Sequence, residues 1–173
     1  MTVWDAVIHK RAIRRFVDRP LDTRHLERIL DAGRRAGSSK NSQRWSFIAI
    51  EDRATLRELA DAGPYAGHLA GAAAAIALVT PDPKTVDAPL SVMWDLGQAA
   101  QNMMLVAWEL GIGSVPATVY EHDLARRLLG YPEDHHCEYL LSFGYPADPA
   151  ILTRSNKAGG RQALTDIVHD ERW

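Results

Sequence analysis

The pattern that most constrains the fold is a long helical stripe between Leu90 and Leu110. Apolar residues recur there mainly every three or four positions for about six helical turns, at Met93, Leu96, Ala100, Met103, Met104, Ala107 and Leu110. A stripe of this length has to be buried against another layer of structure along its whole course. We therefore expect one long helix at the centre of the fold.

Shorter helix and strand patterns alternate along the rest of the chain. Helical spacing is seen at about 3–9, from Asp22 or Thr23 to near Gly37, at about 54–62, at 124–129 and as a final turn at 164–168. The continuous apolar run 72–79 predicts a strand buried on both faces, although its alanines leave a helix open. Runs 45–50, 113–116 and 139–144 also favour strands. Helices outnumber strands and the two are mixed in order, so the fold class is α+β with a small central sheet.

Length and composition predict a single domain spanning residues 1–173. The pattern has no repeat and no linker, and the lone Cys137 cannot form an internal disulfide. The longest apolar run is far shorter than the roughly 20 residues of a membrane helix. The N-terminal residues lack the features of a secretory signal. We therefore expect a soluble cytoplasmic protein with no membrane partner.

The net charge of −2 conceals a basic N-terminal quarter. Up to Arg44 there are 11 Lys and Arg against 5 Asp and Glu, and the remainder has 9 against 17. Such a bias is typical of a nucleic-acid face, a phosphate site, a subunit interface or simply a solvated helix face. Aromatic residues are not interleaved with these basic residues, so we expect no nucleic-acid partner.

Motifs for metal or nucleophilic chemistry are not found in the sequence. His135, His136 and Cys137 are consecutive, and neighbours in a strand point to opposite faces, so these three residues cannot share one metal. The sequence contains no G-x-S-x-G, P-loop or H-E-x-x-H motif, and no G-x-G-x-x-G after a strand. We therefore expect no metal site.

Three segments combine residue types that suit a phosphorylated, flat ligand. Lys10, Arg11, Arg14 and Arg15 can bind a phosphate. The polar loop from Ser38 to Gln43 offers groups that both donate and accept hydrogen bonds. The glycines of the segment 111–116 allow a close approach of the backbone to a ligand. Taken singly, each segment is explained equally well by ordinary surface or turn structure.

Taken together and in order, these segments resemble the nitroreductase family of flavin enzymes. The resemblance covers nearly the whole chain, through K-R-A-I-R-R-F, S-S-K-N-S-Q-R-W, the long helix D-L-G-Q-A-A-Q-N-M-M-L-V-A-W-E-L-G-I-G-S-V-P, F-G-Y-P and the closing G-R-Q-A-L-T-D-I-V-H-D-E-R-W. It implies a nitroreductase-like fold, with a small and mostly antiparallel central sheet flanked by helices. It also implies a homodimer that has the long helix at its interface and binds FMN between the subunits.

The resemblance assigns roles around the FMN phosphate and the ring. By its implication Lys10 and Arg11 bind the phosphate, and Arg14 approaches the pyrimidine edge, where a cation stabilises negative charge on the ring. Ala12 stands where the family usually has serine, which leaves only its backbone amide. Near the C-terminus, Arg161 and, less closely, Lys157 match the basic residues that complete the phosphate site.

The remaining implied contacts come from the polar loop and the segment after Val115. The loop of the partner chain would supply Ser38, Asn41 and Gln43 to the ribityl chain and the ring edge. Pro116, Ala117 and Thr118 would lie at the flavin N5 edge, where the family often has Glu-Gly after V-P and this chain has Ala117-Thr118. A backbone amide can still bond N5 there.

The implied activity is ping-pong hydride transfer from NADH or NADPH through flavin N5 to a nitroaromatic, a quinone or a similar small acceptor. No catalytic side chain is expected, because the cofactor carries the chemistry. The short connection between Pro81 and Pro89 predicts an open site without a lid. Alternatives are a flavin-binding redox or ligand sensor with little turnover, and the dehalogenating and flavin-cleaving branches of the family.

Overall fold

Four strands form one sheet in the order β1-β2-β4-β3 in the computed structural model, which describes residues 2–154 and 160–173. The strands are β1 (Ser46–Ile50), β2 (Ala74–Pro81), β3 (Gly113–Thr118) and β4 (His135–Gly144). All three neighbouring pairs are antiparallel. Strand β2 is buried from Ala74 to Thr80, because β1 and β4 flank it and helices cover both faces of the sheet. This confirms the strand that the continuous apolar run predicted.

The α-helices are α1 (Val3–His9), α2 (Thr23–Arg34), α3 (Arg53–Leu59), α4 (Pro89–Glu109), α5 (His122–Leu129) and α6 (Leu164–Ile167). Short 3-10 helices occupy Ser39–Asn41, Gly67–Gly71 and Pro149–Leu152. Helix α4 confirms the long central helix. Helix α1 begins with a reciprocal cap, in which the Thr2 hydroxyl accepts from the Asp5 amide at 3.1 Å and the Asp5 carboxylate accepts from the Thr2 amide at 2.8 Å.

Some predicted boundaries were wrong. Strand β4 begins at His135, in agreement with the strand alternation expected for His135–Cys137, and extends beyond the apolar run 139–144 because Thr80 and Pro81 of β2 pair with its polar first residues. Helix α3 ends at Leu59, not Ala62, and a turn follows in which the Ala62 amide donates to the Leu59 carbonyl. Helix α2 ends at Arg34, before Gly37. Tertiary pairing and local turns decide such boundaries, and hydrophobic spacing does not report them.

Two apolar cores lie on opposite faces of the sheet. One face packs against α2 and α4, and its largest buried side chains include Ile29, Ile76, Met103, Leu141 and Phe143. The other packs against α3, the helix Gly67–Gly71 and α5, with Leu56, Leu59, Leu69 and Leu140 fully buried. In the described residues no helix is both long enough and apolar enough to cross a lipid bilayer.

Large apolar side chains also remain on the surface of the single chain. They include Val3, Trp4 and Val7 on α1, and Leu90 and Trp94 on α4. A third group follows residue 160, where every residue to Trp173 is exposed, among them Leu164, Ile167 and Val168. Exposed apolar surface of this extent is typical of a chain that associates with another protein surface.

Candidate active site

The basic segment between α1 and α2 runs along the edge of the sheet. The Ile13 amide donates to the Ser114 carbonyl at 3.1 Å, and the Val17 amide donates to the Tyr145 carbonyl at 2.9 Å. The Arg15 carbonyl in turn accepts from the Ala147 amide at 3.0 Å. These bonds attach the segment both to β3 and to the chain that follows β4.

Two glycines allow this attachment to be close. A Cβ atom on Gly113 would lie 2.6 Å from Cβ of Ile13, and one on Gly144 would lie 2.8 Å from the Phe16 ring. Both distances are well inside van der Waals contact, so only glycine fits at either strand position. Ile13 is buried by this approach, with 4% of its surface exposed. The residues on either side of it are thereby held at a fixed place on the sheet edge.

The residues predicted to bind a phosphate differ in how far they are buried. Burial lowers the pKa of the half-buried Lys10 ammonium. Arg11 donates to the Arg154 carbonyl, while Arg14 and Arg15 are exposed. A cleft of about 310 Å³ runs along the segment, and it is lined by Ala12, Ile13, Arg14, Arg15, Pro146, Ala147, Asp148 and Ile151. Its basic side chains make it suitable for an anion.

Strand β3 is an edge strand, and its outward backbone groups face the side on which the basic segment lies. The Ser114 carbonyl faces outward, because it accepts from Ile13, whereas the Val119 amide faces β4 and donates to Glu138. Backbone groups alternate along a strand, so the Thr118 amide faces the same outer edge as Ser114. Pro116 lies between them with no N–H to donate. Pro116 is exposed, and Ala117 is turned into the core that contains α3 and α5.

An apolar cavity of about 240 Å³ lies between the sheet and α4, beside Pro116. It is lined by Leu78, Met93, Leu96, Gly97, Ala100, Met104, Pro116, Tyr139 and Leu141. Because its walls are almost entirely apolar, it suits a flat hydrophobic group.

His68 approaches this region from the face of the sheet that packs against α3 and α5. No sequence motif indicated this residue. Its Nδ1 lies 2.9 Å from the Ser142 hydroxyl, and the Ser142 hydroxyl is also 3.3 Å from the Val115 carbonyl. Its Nε2 is buried and has no hydrogen-bond partner among the described residues. Burial lowers the pKa of His68, the charge of Arg14 lowers it further, and the nearby Pro116 carbonyl opposes both. A buried imidazole nitrogen without a partner is a group that a ligand can satisfy.

The polar loop is attached to α4 rather than to the basic segment. The buried Asp95 carboxylate of α4 accepts from the Ser39 amide at 2.9 Å. Within the loop, the Ser38 hydroxyl accepts from the Gln43 amide at 3.0 Å, and the Asn41 amide oxygen accepts from the Gln43 side chain at 3.2 Å. Asn41 and Gln43 both have positive φ, at 53° and 48°. Strained backbone of this kind in an exposed polar loop is typical of binding sites.

Two further predicted residues are not brought to this site by the contacts of one chain. Arg161 is exposed, and its guanidinium donates to the Gly160 carbonyl at 3.2 Å. Lys157 lies outside the described residues. The roles implied for Lys10, Arg11, Ala12, Arg14, Ser38, Asn41, Gln43, Pro116, Ala117, Thr118 and Arg161 therefore stay predictions.

The structure is an α+β fold with a basic cleft along the edge of its sheet and an apolar cavity between the sheet and a long helix. The sequence profile described as "Nitroreductase family" matches residues 7–63 and 62–145. A putative NADH dehydrogenase/NAD(P)H nitroreductase of Archaeoglobus fulgidus is 35% identical over 170 residues, which cover 95% of this chain and 94% of that protein. A protein of the same description from Methanothermobacter thermautotrophicus is 30% identical, and the match covers 100% of this chain and 88% of that protein.

Solved structures agree on the fold. An FMN-dependent nitroreductase from Clostridium difficile superposes with a TM-score of 0.85 at 23% identity, and the match covers 99% of this chain and 100% of that one. This likeness establishes the nitroreductase-like α+β architecture. Given the profile and the relatives above, the chain belongs to the nitroreductase family.

Proposed function

We propose that the protein is an oxidoreductase that binds FMN along the outer edge of β3 and passes electrons from NADH or NADPH to a small acceptor. The observation that carries the proposal is the pairing of the basic segment with the outer edge of β3, where the Ile13 amide donates to the Ser114 carbonyl and Arg14 lines the adjoining cleft. A cationic side chain and the outward backbone groups of one strand edge fit a heterocycle with carbonyl and nitrogen atoms on its rim.

The start of the basic segment supports the phosphate end of this placement. Lys10 and Arg11 precede the segment that Ile13 fixes to β3, so they would hold the FMN phosphate at its start. Charge-assisted hydrogen bonds of this kind are roughly twice as strong as neutral ones. With Ala12 in place of serine, only a backbone amide remains at that position for the phosphate or ribityl chain.

The ring end is supported by strand β3 and by the apolar cavity. The outward Thr118 amide is a donor suited to the flavin N5 edge, and the Ala117 side chain takes no part because it is buried in the core. Arg14 would stabilise negative charge at the pyrimidine edge. His68 lies near Arg14 and the Pro116 carbonyl, and burial lowers the pKa of its imidazole.

When bound, FMN supplies the hydride chemistry, taking two electrons from NAD(P)H and giving them to the acceptor in two half-reactions at one pocket. The chain itself orients the ring, excludes water beneath it with the walls of the apolar cavity, and places charge beside it. The connection between β2 and α4 is only residues 82–88, which confirms the short loop expected from sequence. We infer a site open on that side, with broad preference among nitroaromatics and quinones.

We further propose that the working unit is a homodimer. The loop residues Ser38, Asn41 and Gln43 would reach the FMN of the partner chain, since they are attached to α4 and not to the basic segment. The exposed apolar groups of α1, α4 and residues 164–173 are the surface expected to be covered. Burying Trp4 and Trp94 would place α4 at the interface.

Titration of the protein with FMN, followed by anaerobic addition of NADH or NADPH, tests the proposal. We expect one FMN per chain, bleaching of the yellow colour by the nicotinamide, and its return on addition of a nitroarene or a quinone. Arg14→Ala should raise the FMN Kd by at least about tenfold and lower the flavin potential, because a hydrogen bond to a charged group contributes about 1.5–3 kcal/mol.

Arg24→Ala is the matched control, because Arg24 carries the same charge in the same basic quarter but is exposed at the start of α2 beside Asp22. It should leave both the Kd and the potential unchanged. A protein that takes up no FMN would refute the proposal. FMN that binds but is never bleached by either nicotinamide would support a sensor in place of an enzyme.

A further inference from the structure

A second cluster of ligating side chains lies outside the proposed flavin site, at the start of α5 and the first half of β4. One ring nitrogen each from His122 and His136 and one carboxylate oxygen of Glu138 lie within 4.8 Å of one another. The rings of His122 and His136 have centroids 4.7 Å apart, and Nε2 of His136 is 2.8 Å from Oε2 of Glu138. None of the three residues lines the cleft or the apolar cavity described above.

A bulge in β4 sits at this cluster. Leu78 of β2 pairs with Tyr139 and Val79 pairs with Cys137, so Glu138 is an extra residue without a partner on β2. Bulges of this kind re-aim side chains and increase the local twist. His136 and Glu138 are two positions apart, and the bulge leaves them in hydrogen-bonding contact with each other. The expectation of no metal site rested on the consecutive residues His135, His136 and Cys137 and on sequence motifs, and neither brings His122 next to His136.

We propose that His122, His136 and Glu138 bind one divalent transition-metal ion, with Zn²⁺ as the best match. Two imidazoles and one carboxylate are a ligand set that Zn²⁺ takes up, and imidazole also suits Co²⁺, Ni²⁺ and Cu²⁺. Metal–ligand distances of about 2.0–2.1 Å at tetrahedral angles place ligand atoms roughly 3.3 Å apart. The His136–Glu138 pair is closer than that, at 2.8 Å, and all three ligand atoms lie within 4.8 Å of one another, so the site forms if the side chains move by about 1 Å.

The surroundings leave these three groups available. The Nδ1 atom of His122 has no hydrogen-bond partner among the described residues, so turning that ring breaks no bond at this atom. The side chains of His136 and Glu138 are only partly buried, with 22% and 33% of their surfaces exposed, which gives an ion a route in. Exposure also leaves room for water as a fourth ligand.

Neighbouring charged and polar groups are engaged elsewhere. His135 Nδ1 is 2.7 Å from the Asp134 carboxylate. The Arg126 guanidinium donates to the Pro132 and His135 carbonyls and lies 4.8 Å from the Tyr131 ring centroid. The Cys137 thiol is buried in the core and donates to the Tyr139 carbonyl at 3.5 Å. The ion would therefore connect α5 to β4 through His122, His136 and Glu138 alone.

Metal titration of the tag-free protein tests the proposal, with Zn²⁺ followed by calorimetry and Co²⁺ followed by its visible d–d absorption. We expect one ion per chain, Co²⁺ displaced by Zn²⁺, and a Tm that rises with Zn²⁺ concentration because the ion binds the native state. We expect a loss of metal affinity of at least about tenfold for each of the variants His122→Ala, His136→Gln and Glu138→Gln. Even a residue that only hydrogen-bonds to a metal ligand typically costs that much when it is removed.

His135→Ala is the matched control, since it removes an imidazole next to His136 that belongs to a different pair. It should leave the affinity within about twofold. Each variant is checked by circular dichroism, and Glu138→Gln keeps the side-chain shape should a histidine variant fold poorly. The proposal is overturned if the parent protein binds no ion, or if His135→Ala loses as much affinity as the three ligand variants. Because metal binding is read without any turnover, failure here is independent of the proposed flavin activity.

Discussion

Gly113→Ala should lower both the stability of the protein and its affinity for FMN. The new methyl carbon would lie 2.6 Å from Cβ of Ile13 and 2.7 and 2.9 Å from its two γ-carbons. The Cβ of Ile13 is bonded directly to the backbone, so it cannot move aside as the end of a flexible side chain would. Either the strand shifts or the basic segment leaves the sheet edge.

Both responses have a bounded cost. Overpacking in a well-packed site costs about 1–3 kcal/mol. Release of the segment loses the burial of Ile13, about 1.5–3 kcal/mol, and its hydrogen bond to Ser114, about 1 kcal/mol. We expect a loss near 2 kcal/mol and a fall in Tm of about 4–8 °C for a chain of this size. If the substitution makes the released segment more stable than the attached one by about 1.4 kcal/mol, FMN binding has to restore the attached state. The FMN Kd then rises about tenfold, because Arg14 is displaced together with the segment.

Thermal unfolding and fluorescence titration with FMN check this pair of expectations. Gly71→Ala is the control, because a Cβ on Gly71 meets no heavy atom within 4 Å. It should change the free energy of unfolding by no more than about 0.5 kcal/mol. If Gly113→Ala matches Gly71→Ala in both Tm and Kd, the close approach of Ile13 is not what holds the basic segment. A fall in Tm with an unchanged Kd would show that the position of the basic segment does not determine the affinity for FMN.

Three more expectations follow from other buried groups. Phe143→Ala should destabilise the protein by about 3–5 kcal/mol in urea unfolding, because Phe143 is fully buried; a loss below about 1 kcal/mol would contradict this packing. Burial raises the pKa of the Cys137 thiol to about 12, so alkylation at pH 8 should be far slower in native than in denatured protein, and equal rates would show an open thiol. His68 has a native pKa below its ordinary 6.5, so the unfolded state binds its proton first and its contribution to stability is lost as pH falls below about 6.5. The stability of the parent relative to His68→Gln should therefore decline from pH 8 to 5, and a constant difference would refute the shift.

Local patterns predicted the helices and strands that carry a strong apolar face. Helix α4 and strand β2 were confirmed because α4 keeps one buried face from Val92 to Trp108 and β2 is buried from Ala74 to Thr80, so their hydrophobic spacing reports their structure directly. The apolar run 139–144 does not include the start of β4, for the opposite reason. His135 and His136 become strand only because Pro81 and Thr80 extend alongside them.

The candidate site was predictable where it is a linear motif and not where it depends on tertiary contact. Arg14 stands in a recognisable basic motif. His68 and Asp95 do not, because one acts through Ser142 and the other through the amide of Ser39, each distant in sequence. The cluster of His122, His136 and Glu138 was missed similarly, since a strand bulge and a helix start bring it together.

The attachment of residues 13–17 to Ser114, Tyr145 and Ala147 has a consequence for how the protein is made on the ribosome. The basic segment precedes the backbone groups that hold it by about 100 residues or more, so it leaves the ribosome well before them. Such long-range pairing forms late, because loop closure must come before the contacts that reward it. A nascent chain stalled before residue 113 therefore carries its arginines unanchored, and the proposed flavin site can form only after Tyr145 and Ala147 have left the ribosome.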